Sequence, residues 1–212
     1  MRLLRNAPRL RIPVRGYFTC YITDRGRLGE VPLPSCIRRA VAAGVDFVQI
    51  REKDLSDRDL FALTVRAAAI ARGTRCRILV NGRADIALAA GAAGVHLPSS
   101  GLKVEHVRKW APAGFLVGVS CHSLRDAKRA ASSGADYILL GPVFPTPSKL
   151  KYGPPLGLKY LKGVCAAVEL PVLGLGGITP GKIDSVIAAG AAGVAGISLF
   201  QQLGTDHAIF SD

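Results

Sequence analysis

The chain has few aromatics, few carboxylates for its many arginines, and no cysteine pairing that spacing would suggest. Phe, Tyr and Trp make up 6% of 212 residues, and the basic residues are scattered rather than interleaved with them. A single-stranded nucleic-acid surface combines a cationic groove with aromatic stacking platforms, so a nucleic-acid partner is not expected. No stretch approaches the roughly 20 apolar residues needed to cross a bilayer, so no membrane partner is expected either. Cys20, Cys36, Cys76, Cys121 and Cys165 are odd in number and lack CxxC spacing. That argues against a disulfide scaffold and a thiolate zinc site, and suits a reducing, cytoplasmic location. Acid is scarce: 15 Asp and Glu stand against 28 Lys and Arg, a formal charge of +13. The excess is densest in residues 1–30, where seven arginines face only Asp24 and Glu30. That stretch lacks the continuous apolar region of a secretory signal. The charge is read as a solvated basic surface, with anionic small molecules as the specific partners it would suit.

What is present is enough apolar sequence for one core. Hydrophobic residues make up 49% and charged residues 20%, which excludes a mainly disordered chain. Four segments resemble one another: Ala43-Gly44-Val45-Asp46, Ala90-Gly91-Ala92-Ala93-Gly94-Val95, Ser133-Gly134-Ala135-Asp136 and Ala189-Gly190-Ala191-Ala192-Gly193-Val194. Each follows an Ala-rich helical stretch and precedes a β-branched run, so its first glycine sits where a left-handed helix C-cap is needed. Apolar runs of strand length lie near 17–22, 46–51, 76–80, 93–97, 115–120, 136–141, 171–176 and 193–198. Most are nearly continuous, as in strands covered on both faces. Helical patterns fill the gaps near 34–43, 57–72, 83–90, 103–110, 123–132, 157–167 and 180–189, with Ser56 and Ser123 at N-cap positions and Pro180 early in the last. Strands alternating with helices in this number predict an α/β fold, a single (β/α)8 TIM barrel over 17–212 preceded by a basic arm over 1–16. After the last strand the amphipathic period fades, so the eighth outer helix is expected to be reduced or missing. The arm, or a partner subunit in a homo-oligomer, would then cover the first and last strands.

In such a barrel the chemistry sits at the carboxyl ends of the strands. Arg51 and Lys53 end the second strand at i, i+2, where an extended chain points both to one face; together they suit a polyanion. Glu52 between them offers the competing reading of a rim salt bridge. Gly176-Gly177 after strand seven and Ile197-Ser198 after strand eight suit the barrel phosphate pocket, where backbone N–H groups approach oxygens closely. The loop after strand six carries Thr146, Ser148 and Lys149 among prolines, three donors for an anion clamp. His96 and His122 lie at strand ends but have no carboxylate partner in sequence, and a satisfied structural role is the first expectation for each. His106 and His207 read as surface residues.

Taken in order, YITDR, VQIREKD, LVNGRADIA, GVHLPSS, GVSCHS, LGPVFPTPSK, GLGGI and GISLF resemble the thiamine phosphate synthase and thiazole tautomerase (TenI-type) family from about Tyr17 to Phe200. The resemblance implies a thiamine biosynthesis transferase that joins a hydroxymethylpyrimidine diphosphate to a thiazole phosphate and releases diphosphate. It implies that Gln49, Arg51, Lys53, Asn81, Ser120 and Lys149 hold the pyrimidine diphosphate, with Arg51, Lys53 and Lys149 neutralising the leaving group. Thr146, Ser148, Gly176, Gly177, Ile197 and Ser198 would hold the thiazole phosphate. It also implies Mg²⁺, yet the chain departs from the pattern at the metal. Gly82 stands where the synthases carry an aspartate, and Pro98-Ser99-Ser100 where they carry Gln-Glu-Asp, so no metal ligands are assigned. Asp85 is nearby but belongs to the start of a helix. Asn81-Gly82-Arg83 and Leu97-Pro98-Ser99 are tautomerase-like, whereas Pro142 stands where a tautomerase needs a histidine. A tautomerase, or a non-catalytic binder of thiazole phosphate, is therefore the alternative to the synthase.

Overall fold

The computed structural model describes Leu10 and residues 13–146 and 153–201. Eight strands, β1 (Phe18–Ile22), β2 (Phe47–Ile50), β3 (Arg77–Asn81), β4 (Gly94–Leu97), β5 (Leu116–Cys121), β6 (Tyr137–Leu140), β7 (Val172–Leu175) and β8 (Gly193–Gly196), close into one barrel in chain order. Every neighbouring pair is parallel, including β8 against β1. Helices α1 (Leu33–Ala42), α2 (Asp57–Ala71), α3 (Ala84–Ala89), α4 (Val104–Arg108), α5 (Leu124–Ser132), α6 (Gly157–Ala167), α7 (Ile183–Ala188) and α8 (Ser198–Gln201) follow the strands. The expected (β/α)8 barrel is what the chain forms.

The repeated glycines close the helices as their position required. Gly44, Gly91, Gly134 and Gly190 all have φ between 70° and 90°. At each, the glycine N–H bonds back to the carbonyl three residues earlier, and the next N–H bonds to the carbonyl five residues earlier (Gly134 to Ala131, Ala135 to Ala130). This Schellman geometry satisfies carbonyls the helix end would otherwise orphan, and it turns the chain into the next strand. Ser56 and Ser123 cap α2 and α5, accepting from the backbone N–H of Asp59 and Asp126 at 3.1 Å.

Alternation along each strand divides the apolar residues into two sets. Outward residues such as Val48, Ile50, Val80, Val95, Val117 and Ile138 pack beneath the helices on Ile37, Ala67, Ala87 and Leu161. Inward residues, among them Phe18, Phe47, Leu79, Leu116, Tyr137, Leu139 and Leu173, fill the barrel as a second cluster, against which Leu10 also packs.

The Gly-x-Asp repeats carry a second device at the amino ends of the strands. Asp46 pairs with Arg15 and accepts from the Thr19 N–H at 2.8 Å, while Arg15 also donates to the Gly44 carbonyl at 3.1 Å. The same pattern recurs half a barrel away. Asp136 pairs with Arg108 and accepts from the Val117 N–H at 2.7 Å, and Arg108 donates to the Gly134 carbonyl at 3.0 Å.

At the seam between β8 and β1, where the arm or a partner subunit was expected, α8 packs instead, and its described part ends at Gln201, the last described residue. Leu199 and Phe200 are buried there, the Phe200 ring lies 6.1 Å from that of Tyr21, and Gln201 donates to the Asp24 carbonyl at 2.7 Å. Most of the expected basic arm, and the chain beyond Gln201 with His207, lie outside the described residues.

Candidate active site

The residues singled out in β2, β3 and β5 share one wall of the barrel mouth. Gln49, Asn81, His96 and Ser120 point inward near the carboxyl ends of β2, β3, β4 and β5, above an apolar floor that includes Phe47, Leu79 and Tyr137. Gln49 donates to Asn81 Oδ1 at 3.0 Å, and its own Oε1 is buried without a hydrogen-bond partner among the described residues. A buried unpaired acceptor costs about 1–3 kcal/mol, and an N–H of a bound ring would recover it. His96 is the satisfied histidine expected: it is fully buried, with Nδ1 3.1 Å from the Tyr137 hydroxyl and Nε2 2.8 Å from Ser120 Oγ. Burial pushes its pKa down to about 3, so the imidazole is neutral and is not a general acid at pH 7.

At the end of β2 the acids and bases are sorted. Glu52 is buried and turns toward β1, accepting from the Thr23 hydroxyl and from the Arg25 N–H at 3.0 Å. Arg25 forks onto Asp54 at 2.6 and 2.8 Å. Arg83, immediately before α3, bridges Asp57 and Asp85. The hydroxyl of Thr23 also accepts the Arg51 N–H at 2.9 Å, anchoring the backbone where Arg51 follows β2. Glu52 and Asp54 are thus held by Arg25, and Asp57 and Asp85 by Arg83. Among the described residues no side-chain hydrogen bond or ion pair engages Arg51 or Lys53. The competing rim salt bridge between Glu52 and its two neighbours does not form; its partner is Arg25. Thr23 and Arg25 were not singled out in the sequence, although the alternation that puts Arg51 and Lys53 together also sends Glu52 the other way.

On the opposite wall, Gly176 and Gly177 follow β7 with φ of 96° and 64°. The β6 loop lies against them: Phe144 N–H bonds to the Gly176 carbonyl at 3.0 Å, and a Cβ on Gly177 would sit 2.5 Å from the Pro145 carbonyl. Only glycine leaves room for that approach. Lys182 adds a cation, donating to the Gly177 carbonyl at 3.3 Å and lying 4.6 Å from the centre of the Phe144 ring. Thr146 is described, and Ser148 and Lys149 of this loop lie outside the described residues. Ile197 and Ser198 join β8 to α8; the Ser198 side chain also lines a cavity of about 290 Å³ with Arg27, Arg39 and Gln201. His122 Nδ1 donates to the Gly141 carbonyl, on the peptide preceding Pro142, at 2.6 Å.

The residues present do not fit a carboxylate-bound divalent cation. Gly82 and Pro98 occupy the positions in question, with the Pro98 ring 3.7 Å from where a Cβ on Gly82 would be. Asp85 is committed to Arg83, and the described residues contain no group of three or more His, Cys, Asp or Glu suited to a metal. Burial raises the Cys76 and Cys121 thiols to about 12 and that of Cys165 to about 11, which favours the protonated form of these three at neutral pH.

A closed barrel whose mouth carries, among the described residues, cations without side-chain partners on one wall and a pair of glycines on the other has the layout of a (β/α)8 enzyme. The family model for thiamine monophosphate synthase (TMP-TENI) matches residues 19–200, and the chain belongs to that family of thiamine biosynthesis enzymes. It is 48% identical to a thiamine-phosphate synthase of Methanoculleus marisnigri, over 86% of this chain and 87% of the relative. It is 46% identical to a putative thiamine-phosphate synthase of Geobacter sulfurreducens, over 85% of each. Its fold matches a solved thiamine phosphate pyrophosphorylase from Pyrococcus furiosus with a TM-score of 0.80 and 30% identity, over 93% of both chains.

Proposed function

We propose that this chain makes thiamine phosphate from hydroxymethylpyrimidine diphosphate and a thiazole phosphate, releasing diphosphate. The C–O bond between the pyrimidine methylene and the diphosphate breaks, and its electron pair leaves with the diphosphate. The thiazole nitrogen lone pair then forms the new C–N bond. What the protein must supply is stabilisation of the charge that develops on the leaving group. Arg51 and Lys53, with Lys149 from the β6 loop, meet that demand. Gln49 Oε1 accepts from the aminopyrimidine, and Asn81 and Ser120 complete that subsite. Thr146 and Ser148, with the backbone amides of Gly176, Gly177, Ile197 and Ser198, hold the thiazole phosphate. Family membership implies Mg²⁺, but the donor set does not fit it, and no step here runs through the cation.

The observation that carries this reading is the sorting of charge at β2, which leaves Arg51 and Lys53 unpaired among the described residues while Arg25 and Arg83 hold the neighbouring acids. The test is to incubate the purified chain with both substrates, with and without Mg²⁺, and follow thiamine phosphate and diphosphate. Formation of both products supports the proposal. A changed thiazole tautomer ratio without coupling would assign the tautomerase activity instead, and thiazole phosphate binding with neither reaction would make the chain a binder.

A further inference from the structure

The buried histidine has a directional role that the overall reaction does not specify. Tyr137 is fully buried in the barrel, its ring stacked on Phe47 with centroids 5.6 Å apart. It lies across β5 where Gly118 has no side chain; a Cβ there would come within 2.1 Å of the Tyr137 ring. This places the hydroxyl 3.1 Å from His96 Nδ1, its one hydrogen-bond partner among the described residues. A buried phenol must donate its proton or leave it unsatisfied, and burial holds the Tyr137 pKa well above its ordinary value. Nδ1 must therefore accept. A neutral imidazole that accepts at one nitrogen donates at the other, so Nε2 carries the hydrogen and donates to Ser120 Oγ at 2.8 Å. With its acceptor side taken, Ser120 has its own hydroxyl hydrogen left for the mouth.

We infer that Tyr137 and His96 form a buried, one-way hydrogen-bond relay that fixes Ser120 as a donor toward an anionic oxygen of the bound diphosphate ester. Tyr137 and His96 are positioning residues: neither reaches the mouth, and both act through Ser120. The inference rests on the proposed function for the identity of the ligand, but the polarity of the relay stands on the free protein. It predicts an order of effects that burial alone does not. A glutamine at 96 carries an amide N–H near the place of Nε2–H, whereas leucine carries nothing polar.

The test has two parts. In the full-length protein labelled with ¹⁵N-histidine, the His96 resonance, assigned by its loss in His96→Gln, is expected in the Nε2–H tautomer at pH 7. Tyr137→Phe is expected to mix the tautomers. A wild-type Nδ1–H tautomer would overturn the relay whatever the ligand. The second part measures inorganic diphosphate binding. Ser120→Ala is expected to weaken it about 3- to 10-fold, and His96→Leu similarly. His96→Gln should stay within about 3-fold of wild type, and His96→Leu combined with Ser120→Ala should be no worse than Ser120→Ala alone. Additive losses would overturn the positioning role. If Ser120→Ala leaves binding unchanged while the tautomer is as stated, the diphosphate assignment fails and the donor role with it. Should Tyr137→Phe not fold, the His96→Gln and His96→Leu comparison carries the same distinction.

Discussion

Arg51 and Lys53 are left without a side-chain partner among the described residues because Thr23 and Arg25 take Glu52. Glu52 would neutralise either cation if it shared their face, yet strand alternation turns it to Thr23 and Arg25. Charge-assisted hydrogen bonds contribute roughly 1.5–3 kcal/mol each, so Arg51→Ala and Lys53→Ala should each weaken pyrimidine diphosphate binding about 10- to 150-fold by calorimetry. Unchanged affinity in both variants would return the pair to a purely structural role. His96 makes a separate prediction about stability. Its folded-state pKa of about 3 lies below the ordinary value of 6.5, so the unfolded chain binds more protons in that window. Its contribution is therefore full above about pH 6.5 and is lost as pH falls toward 3, at up to roughly 1.4 kcal/mol per pH unit. Urea titrations from pH 7 to pH 4 should show a shallower decline for His96→Gln than for wild type; parallel declines would contradict the assignment.

At the scale of elements, the legible features were those encoded locally. The C-cap glycines repeat in sequence, and each marks the end of a helix and the approach of a strand, so the strand–helix count could be read directly. Gly134 has φ of 87° with nothing within 4 Å of an added Cβ. Gly134→Ala should therefore cost only the conformational term of about 1–2 kcal/mol, measured by chemical denaturation. A neutral substitution would mean that the loop relaxes out of the left-handed region. The polarity of the relay was not legible, because Tyr137 and His96 are 41 residues apart and meet only through barrel closure. For the same reason the partner of Glu52 was not legible, since Thr23 is 29 residues away, although strand alternation already turned Glu52 from Arg51 and Lys53.

The whole molecule is a barrel with opposite ends given opposite tasks. Its amino-end face is pinned by two matching ion pairs, Arg15 with Asp46 and Arg108 with Asp136. Arg108 and Asp136 keep only 13% and 4% of their side-chain surface exposed, so removing one partner strands a poorly solvated charge. Arg108→Ala is expected to destabilise by about 3–5 kcal/mol at pH 7. Burial already pushes the Asp136 carboxyl up, against the pull of the Val117 N–H and Arg108. A raised folded-state pKa favours the protonated fold, so the gap between the variant and wild type should narrow as pH is lowered; a constant gap would place the cost elsewhere. At the carboxyl-end face, by contrast, Arg51 and Lys53 have no side-chain partner among the described residues, and Gly176 and Gly177 follow β7 with positive φ. The division into a binding face and a stabilising face follows from the barrel itself and was readable once the strands were counted. The two ion pairs were not, since Arg15 and Arg108 reach their partners only after the barrel closes.

The most direct measurement is a crystal soaked with the pyrimidine diphosphate and thiazole phosphate esters. The diphosphate is predicted against Arg51 and Lys53, and the monophosphate against the backbone of Gly177 and Ser198. Phosphate density bound elsewhere, with those groups bare, would contradict the account.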